Sequence, residues 1–131
     1  MKKALFLFSF LGFMCIGLFA QNNPVAKADS IIFKSLVHDY GTIEQGGDGT
    51  CEFSFTNTGK EPIVLSGVRA SCGCTVPEWS KEPVLPGQTS VIKVKYDTRR
   101  LGAINKSIVV NSNAINSPVI LKITGNIVAK Q

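Results

Sequence analysis

From Ile31 onward the chain is written in short runs that alternate apolar and polar residues, and this period of two constrains the fold more than any other feature. Cys51-Glu52-Phe53-Ser54-Phe55-Thr56 puts Cys51, Phe53 and Phe55 on one face, because successive strand residues point to opposite sides. Thr89 to Tyr96 sets Ile92, Val94 and Tyr96 against Val91, Lys93 and Lys95. Val119, Leu121, Ile123 and Ile127 alternate with Lys122, Thr124 and Asn126 in a regular closing strand. Ala103 to Val110 is less clean. Lys106 shares a face with Ile104, Ile108 and Val110, which predicts an edge-like position where a lysine reaches water. No stretch carries a convincing helical period.

Turn residues divide these runs. Ile31 to Lys34 reads as a first strand, and Val37 to Ile43 continues it past a kink. Gln45-Gly46-Gly47-Asp48-Gly49 is a turn cluster, and Asn57-Thr58-Gly59-Lys60 supplies another in which Asn and Gly can take positive φ. Ile63 to Val68 and Thr75 to Glu78 are further strands, with Trp79 expected to cap one end of the core. Pro83, Pro86 and Gly87 punctuate a loop. About seven strands at spacings of roughly eight to twelve residues predict an all-β fold, an immunoglobulin-like antiparallel β-sandwich spanning residues 31–128. A closed barrel is the alternative.

The chain opens Met1-Lys2-Lys3 and then runs apolar from Ala4 to Ala20. A basic start, a short apolar stretch and a small residue before a polar break describe a secretory signal peptide over residues 1–20. Ala20-Gln21 is the preferred cleavage point, and Ala26-Lys27-Ala28 ranks second. Phe13 and Met14 are too bulky before Cys15 for a lipoprotein signal, so Cys15 is expected to leave with the signal. Residues 21–30 are polar, contain Pro24 and read as a flexible lead-in. Removing the signal leaves about 110 residues, the size of one small domain, with no further apolar stretch long enough to span a membrane. The net charge of +5 falls by two with Lys2 and Lys3. Such a mild excess, without a basic run, gives no case for nucleic acid binding. The expected setting is the periplasm, the cell envelope or the extracellular space.

Reactive chemistry concentrates in one place, Arg69-Ala70-Ser71-Cys72-Gly73-Cys74-Thr75-Val76-Pro77. Cys72, Cys74 and Cys51 remain after cleavage, an odd count that leaves at least one thiol free or paired between chains. Three intramolecular pairings are open. Two residues of extended strand span roughly 6.6 Å, near the limit for a disulfide, so a Cys72–Cys74 bridge needs a tighter path at Gly73 and suits exchange better than stabilisation. The favoured reading makes the cysteines structural, packed as thiols or with one paired to Cys51. The alternatives are a soft-metal site for copper or zinc on Cys72, Cys74, Cys51 and the only histidine, His38, or a redox role. No nucleophile elbow, carboxylate pair or phosphate cradle stands out, so neither an enzyme nor a cofactor is expected.

Asp39-Tyr40-Gly41-Thr42-Ile43, Phe53-Ser54-Phe55-Thr56-Asn57-Thr58-Gly59, Ser71-Cys72-Gly73-Cys74-Thr75, Pro86-Gly87 and the Gly102 to Val110 strand together resemble one bacterial family. It is the family of domain of unknown function 1573, common in secreted proteins of Bacteroidetes-type bacteria, and the resemblance spans about Ile31 to Val128. Cys51 departs from the pattern at its strand position. The resemblance implies an immunoglobulin-like domain of the Hydin and major-sperm-protein type, which mostly binds other proteins or acts as a spacer. It implies no reaction. The resulting expectation is a non-catalytic interaction or structural module of the cell envelope with protein partners.

Overall fold

A computed structural model describes residues 28–131, and the expected signal peptide and most of the expected lead-in lie outside them. Eight strands occur among the described residues: β1 (Ile31–Phe33), β2 (Val37–Glu44), β3 (Thr50–Asn57), β4 (Leu65–Ala70), β5 (Thr75–Trp79), β6 (Thr89–Tyr96), β7 (Gly102–Ser112) and β8 (Val119–Val128). They form two four-stranded sheets, ordered β1-β3-β6-β5 and β2-β8-β7-β4. The fold is the all-β sandwich that the alternation predicts.

The core lies between the two inner faces. Cys51, Phe53 and Phe55 pair across to Val94, Ile92 and Ser90 of β6, and all three face inward as expected. Phe55, Ile92, Ile108 and Leu121 are among the largest side chains with essentially no exposure. Each such burial stabilises the fold by about 1.5–3 kcal/mol relative to an exposed side chain. The Phe33 and Phe55 rings meet at 5.3 Å, which holds the three-residue β1 onto β3.

The kink between the first two runs is a change of sheet. β1 pairs with β3, while β2 crosses to the other sheet and pairs with β8 in parallel. Alternation reads the same for either strand direction, so the sequence pattern could not supply this parallel pair. Tyr40 then ties the layers together. From β2 its hydroxyl reaches the Gly49 carbonyl at 2.7 Å and lies 3.3 Å from Cys51 Sγ on β3.

Lys106 corrects one expectation and explains it. β7 is an interior strand. However, β4 pairs only with Ile108 to Ser112, so the β7 segment carrying Lys106 is paired on one side alone. The lysine is half-buried there. The Asn57 turn also differs. Neither Asn57 nor Gly59 has a positive φ. Asn57 is fully buried, and Gly59 is needed for space, since a Cβ there would sit 2.5 Å from the Asp29 Cβ. The end of the expected lead-in is packed as well. Ala28 is fully buried, donates to the Asn113 carbonyl at 3.0 Å and accepts from the Ile115 N–H at 3.1 Å.

Candidate functional site

The cysteine stretch is the turn by which the chain passes from β4 in one sheet to β5 in the other. Its ends are fixed by the ladders. The Ser71 N–H donates to the Ser107 carbonyl at 2.9 Å, and the Ser107 N–H returns to Ser71 Oγ at 3.2 Å. On the other side the Asp97 N–H donates to the Cys74 carbonyl at 2.8 Å. Within the turn the Thr75 N–H reaches the Cys72 carbonyl at 3.3 Å. This path contracts the chain from its extended span, and the Cys72 and Cys74 Cα atoms lie 5.3 Å apart with their sulfurs bonded to each other. That separation is ordinary for a disulfide.

The two sulfurs are not equivalent. Cys74 is 4% exposed, whereas Cys72 is partly exposed and only packs against the margin of the core. The Cys74 N–H points at Cys72 Sγ from 3.2 Å. Thr75 is 3% exposed, and its hydroxyl lies 3.7 Å from Cys74 Sγ and 3.9 Å from Cys72 Sγ. Gly73 is exposed, and a Cβ on it would meet nothing within 4 Å. The glycine therefore leaves the ground above the turn open. Beside the turn lies a depression of about 250 Å³ lined by Gly73, Cys74, Val76, Lys95, Tyr96 and Arg99, among others. Asp97 borders it too, with its carboxyl held down to about 2, first by the Arg99 side chain at 2.8 Å and then by the Arg99 backbone N–H.

The structure does not unite the four residues of the soft-metal alternative. Among the described residues no three His, Cys, Asp or Glu side chains come together in a way that could hold a metal ion, and the Cys72 and Cys74 sulfurs are taken by their mutual bond. Cys51 is a free, buried thiol on β3, so neither cysteine of the turn pairs with it. Burial pushes its pKa up, with the Tyr40 hydroxyl opposing that shift. Burial also raises the pKa of Tyr40. The tyrosine has one proton to give, and the shorter contact to the Gly49 carbonyl takes it. His38 is half-buried on the inward side of β2, with its ring edge-on to Tyr40 at 4.7 Å. Trp79 packs against the core as expected, but its Nε1 is buried without a hydrogen-bond partner. Thr75 is the residue that sequence reasoning passed over. Its only signal was its place directly after the second cysteine.

The sheet edges differ in what they offer a partner. On β1 the Asn116 side chain occupies both polar groups of Ile31, at 2.9 and 3.1 Å. On β2 the Ser35 hydroxyl occupies both groups of Val37, and the register slips between Asp39 and Thr42. On β5 the bond from Asp97 to Cys74 sets the alternation, so Pro77 turns its nitrogen toward the open side, where a donor is missing. On β4 the bond from Ser71 to Ser107 sets the alternation so that Val68 and Ala70 turn their N–H and C=O groups away from β7. Among the described residues these groups have no partner.

The family model described as "Protein of unknown function (DUF1573)" matches residues 31–127. Comparison with the curated proteins finds no match. Among solved structures, the chain is similar to a protein of unknown function from Porphyromonas gingivalis W83, at 17% identity and TM-score 0.66. That match covers 80% of this chain and 51% of the other, so the chain spans about half the length of that relative. It is also similar to an ASH / PapD-like domain of human CEP192, at 10% identity and TM-score 0.63, covering 90% of this chain and 99% of that one. A third similar structure is the CupB2 chaperone of Pseudomonas aeruginosa, at 10% identity and TM-score 0.53, covering 72% and 54%. These likenesses show the fold.

Proposed function

Because this chain belongs to the DUF1573 family of proteins of unknown function, we propose that it works as an exported, non-catalytic interaction module that holds an extended segment of a partner protein in the cell envelope. The observation that carries the reading is the open ladder of β4. Of the four edges, this one presents unpaired backbone groups, at Val68 and Ala70 beyond the register shift between Leu65 and Gly67, without a proline or a side chain over them. A segment added there gains main-chain hydrogen bonds from Val68 and Ala70, which give affinity independent of special side chains. Arg69 and Ser66, both exposed, would then flank the added strand. The PapD-like and chaperone neighbours agree in fold with a module of this kind.

Export is read from the basic and apolar start of the chain. Of the two cleavage points, the earlier one fits the described residues better. Cleavage after Ala28 would remove a fully buried residue and two backbone hydrogen bonds, whereas cleavage after Ala20 keeps them. Among the described residues no helix is long and apolar enough to cross a membrane.

The substitution Ala70→Pro tests the docking edge. It removes the outward N–H while leaving Ala70 without any ladder bond to lose, and the extended backbone before it accommodates a following proline. The wild-type domain is expected to capture a partner from envelope extract, and Ala70→Pro to lose it with an unchanged melting temperature. If a folded Ala70→Pro captured the same protein equally well, docking on β4 would be wrong.

A further inference from the structure

We propose that Cys72–Cys74 is an exchangeable disulfide that oxidises the dithiol of an incoming protein, with Cys72 as the sulfur attacked and Cys74 as the one that leaves. This inference is independent of the docking edge.

The bridge contributes little as a staple. It joins residues two apart in a single turn, and the chain entropy a disulfide removes grows with the length of the loop it closes. It ties no strand to another, because the bonds of Ser71 to Ser107 and of Asp97 to Cys74 already hold the turn at both ends. By contrast, its surroundings suit exchange. The core shields most of Cys74, so an incoming thiolate reaches the partly exposed Cys72 more readily. Gly73 leaves the approach uncovered. Lys95 and Arg99 line the depression on the Cys74 side of the turn against the single carboxylate of Asp97, which leaves a net positive charge near the bridge. Thr75 is the strongest sign. Its hydroxyl is buried, and the partners the structure gives it are the two sulfurs themselves. A thiolate sulfur is a far better acceptor for that hydroxyl than a disulfide sulfur. Thr75 is thus a positioning residue that stabilises the leaving group.

The exchange balances in two displacements. The partner's first thiolate attacks Cys72 Sγ; a bond forms between those sulfurs as the Cys72–Cys74 bond breaks, and the electron pair leaves on Cys74 Sγ. The Thr75 hydroxyl donates to that thiolate, which then takes the proton of the partner's second thiol. The second thiolate attacks the partner's own sulfur in the mixed disulfide and displaces Cys72 as a thiolate, toward which the Cys74 N–H already points. Cys72 takes up the proton that the first thiol released. In sum the partner loses two electrons and two protons and gains a disulfide, and Cys72 and Cys74 become thiols.

The test uses dithiothreitol as the stand-in dithiol on the exported chain, with alkylation and mass measurement reading the bridge. The native wild-type bridge is expected to open without denaturant, and Thr75→Val to open roughly tenfold more slowly at an unchanged melting temperature. In single variants, Cys72 of Cys74→Ser is expected to react with a small aromatic disulfide roughly tenfold faster than Cys74 of Cys72→Ser. A wild-type bridge that opens only on unfolding would overturn the proposal, and that measurement needs no variant. So would a Thr75→Val bridge opening at the wild-type rate, or equal reactivity of the two single thiols.

Discussion

Asn57 shows how one side chain can organise several stretches of chain. Its Nδ2 donates to the Glu61 and Val84 carbonyls at 2.7 and 2.8 Å, and its Oδ1 accepts from the Gly59 N–H at 3.0 Å. Its backbone is bonded to Gln88 and Gly87 as well. The Asn-Thr-Gly signal was legible as a turn, but its mechanism was not. The expectation of positive φ rests on local conformation, whereas the asparagine works by joining the nearby Glu61 carbonyl to the Val84 carbonyl of a loop more than twenty residues away. Asn57→Ala leaves the Glu61 carbonyl and the Gly59 N–H without this partner and takes one of two donors from the Val84 carbonyl, which keeps the Ile63 N–H. It is expected to cost about 2–4 kcal/mol, seen as a lower urea midpoint at unchanged slope. The cysteines follow the same logic. Spacing left three pairings open, and only the fold buried Cys51 on another strand and closed Cys72 onto Cys74.

At the scale of elements, strand identity was written in the sequence and strand company was not. β3, β6 and β8 follow their alternation closely. The change of sheet between β1 and β2 was legible only as a kink, since the residues between them say that the strand bends and not where it goes. The glycine clusters divide in the same way. Gly49 sits where β3 begins against the end of β6, and a Cβ there would lie 2.7 Å from Thr98 Cγ2 and collide with the Tyr96 carbonyl. Gly49 also accepts from the Tyr96 N–H and the Tyr40 hydroxyl. Gly49→Ala is therefore expected to destabilise by about 2–4 kcal/mol. Gly73→Ala, which meets nothing, should stay within about 0.5 kcal/mol. Thermal melts of the pair check both, and equal losses would contradict the packing argument.

At the scale of the whole molecule, Ala28 belongs to the packed domain, although the sequence reads it as lead-in. Its methyl is sealed in the core, and its backbone pairs with the segment around Ala114. A chain starting at Gln21 keeps this contact, and a chain starting at Asp29 loses it. The shorter form is expected to be less stable by about 1–3 kcal/mol, measured by parallel chemical denaturation, and intact mass of the exported protein should place its first residue at Gln21. The sequence by itself determined the β class, most strand positions and the inward faces, because side-chain alternation and turn preference are local properties of the backbone. The pattern predicts about seven strands where eight occur, and its run at Ile63 to Val68 is the strand Leu65–Ala70. The tertiary structure alone decided the parallel β2–β8 pair, the four edges and their unequal openness, and the hydroxyl of Thr75 between two sulfurs. Those depend on which distant segments meet, and an alternating pattern is equally satisfied by any neighbour that buries its apolar face.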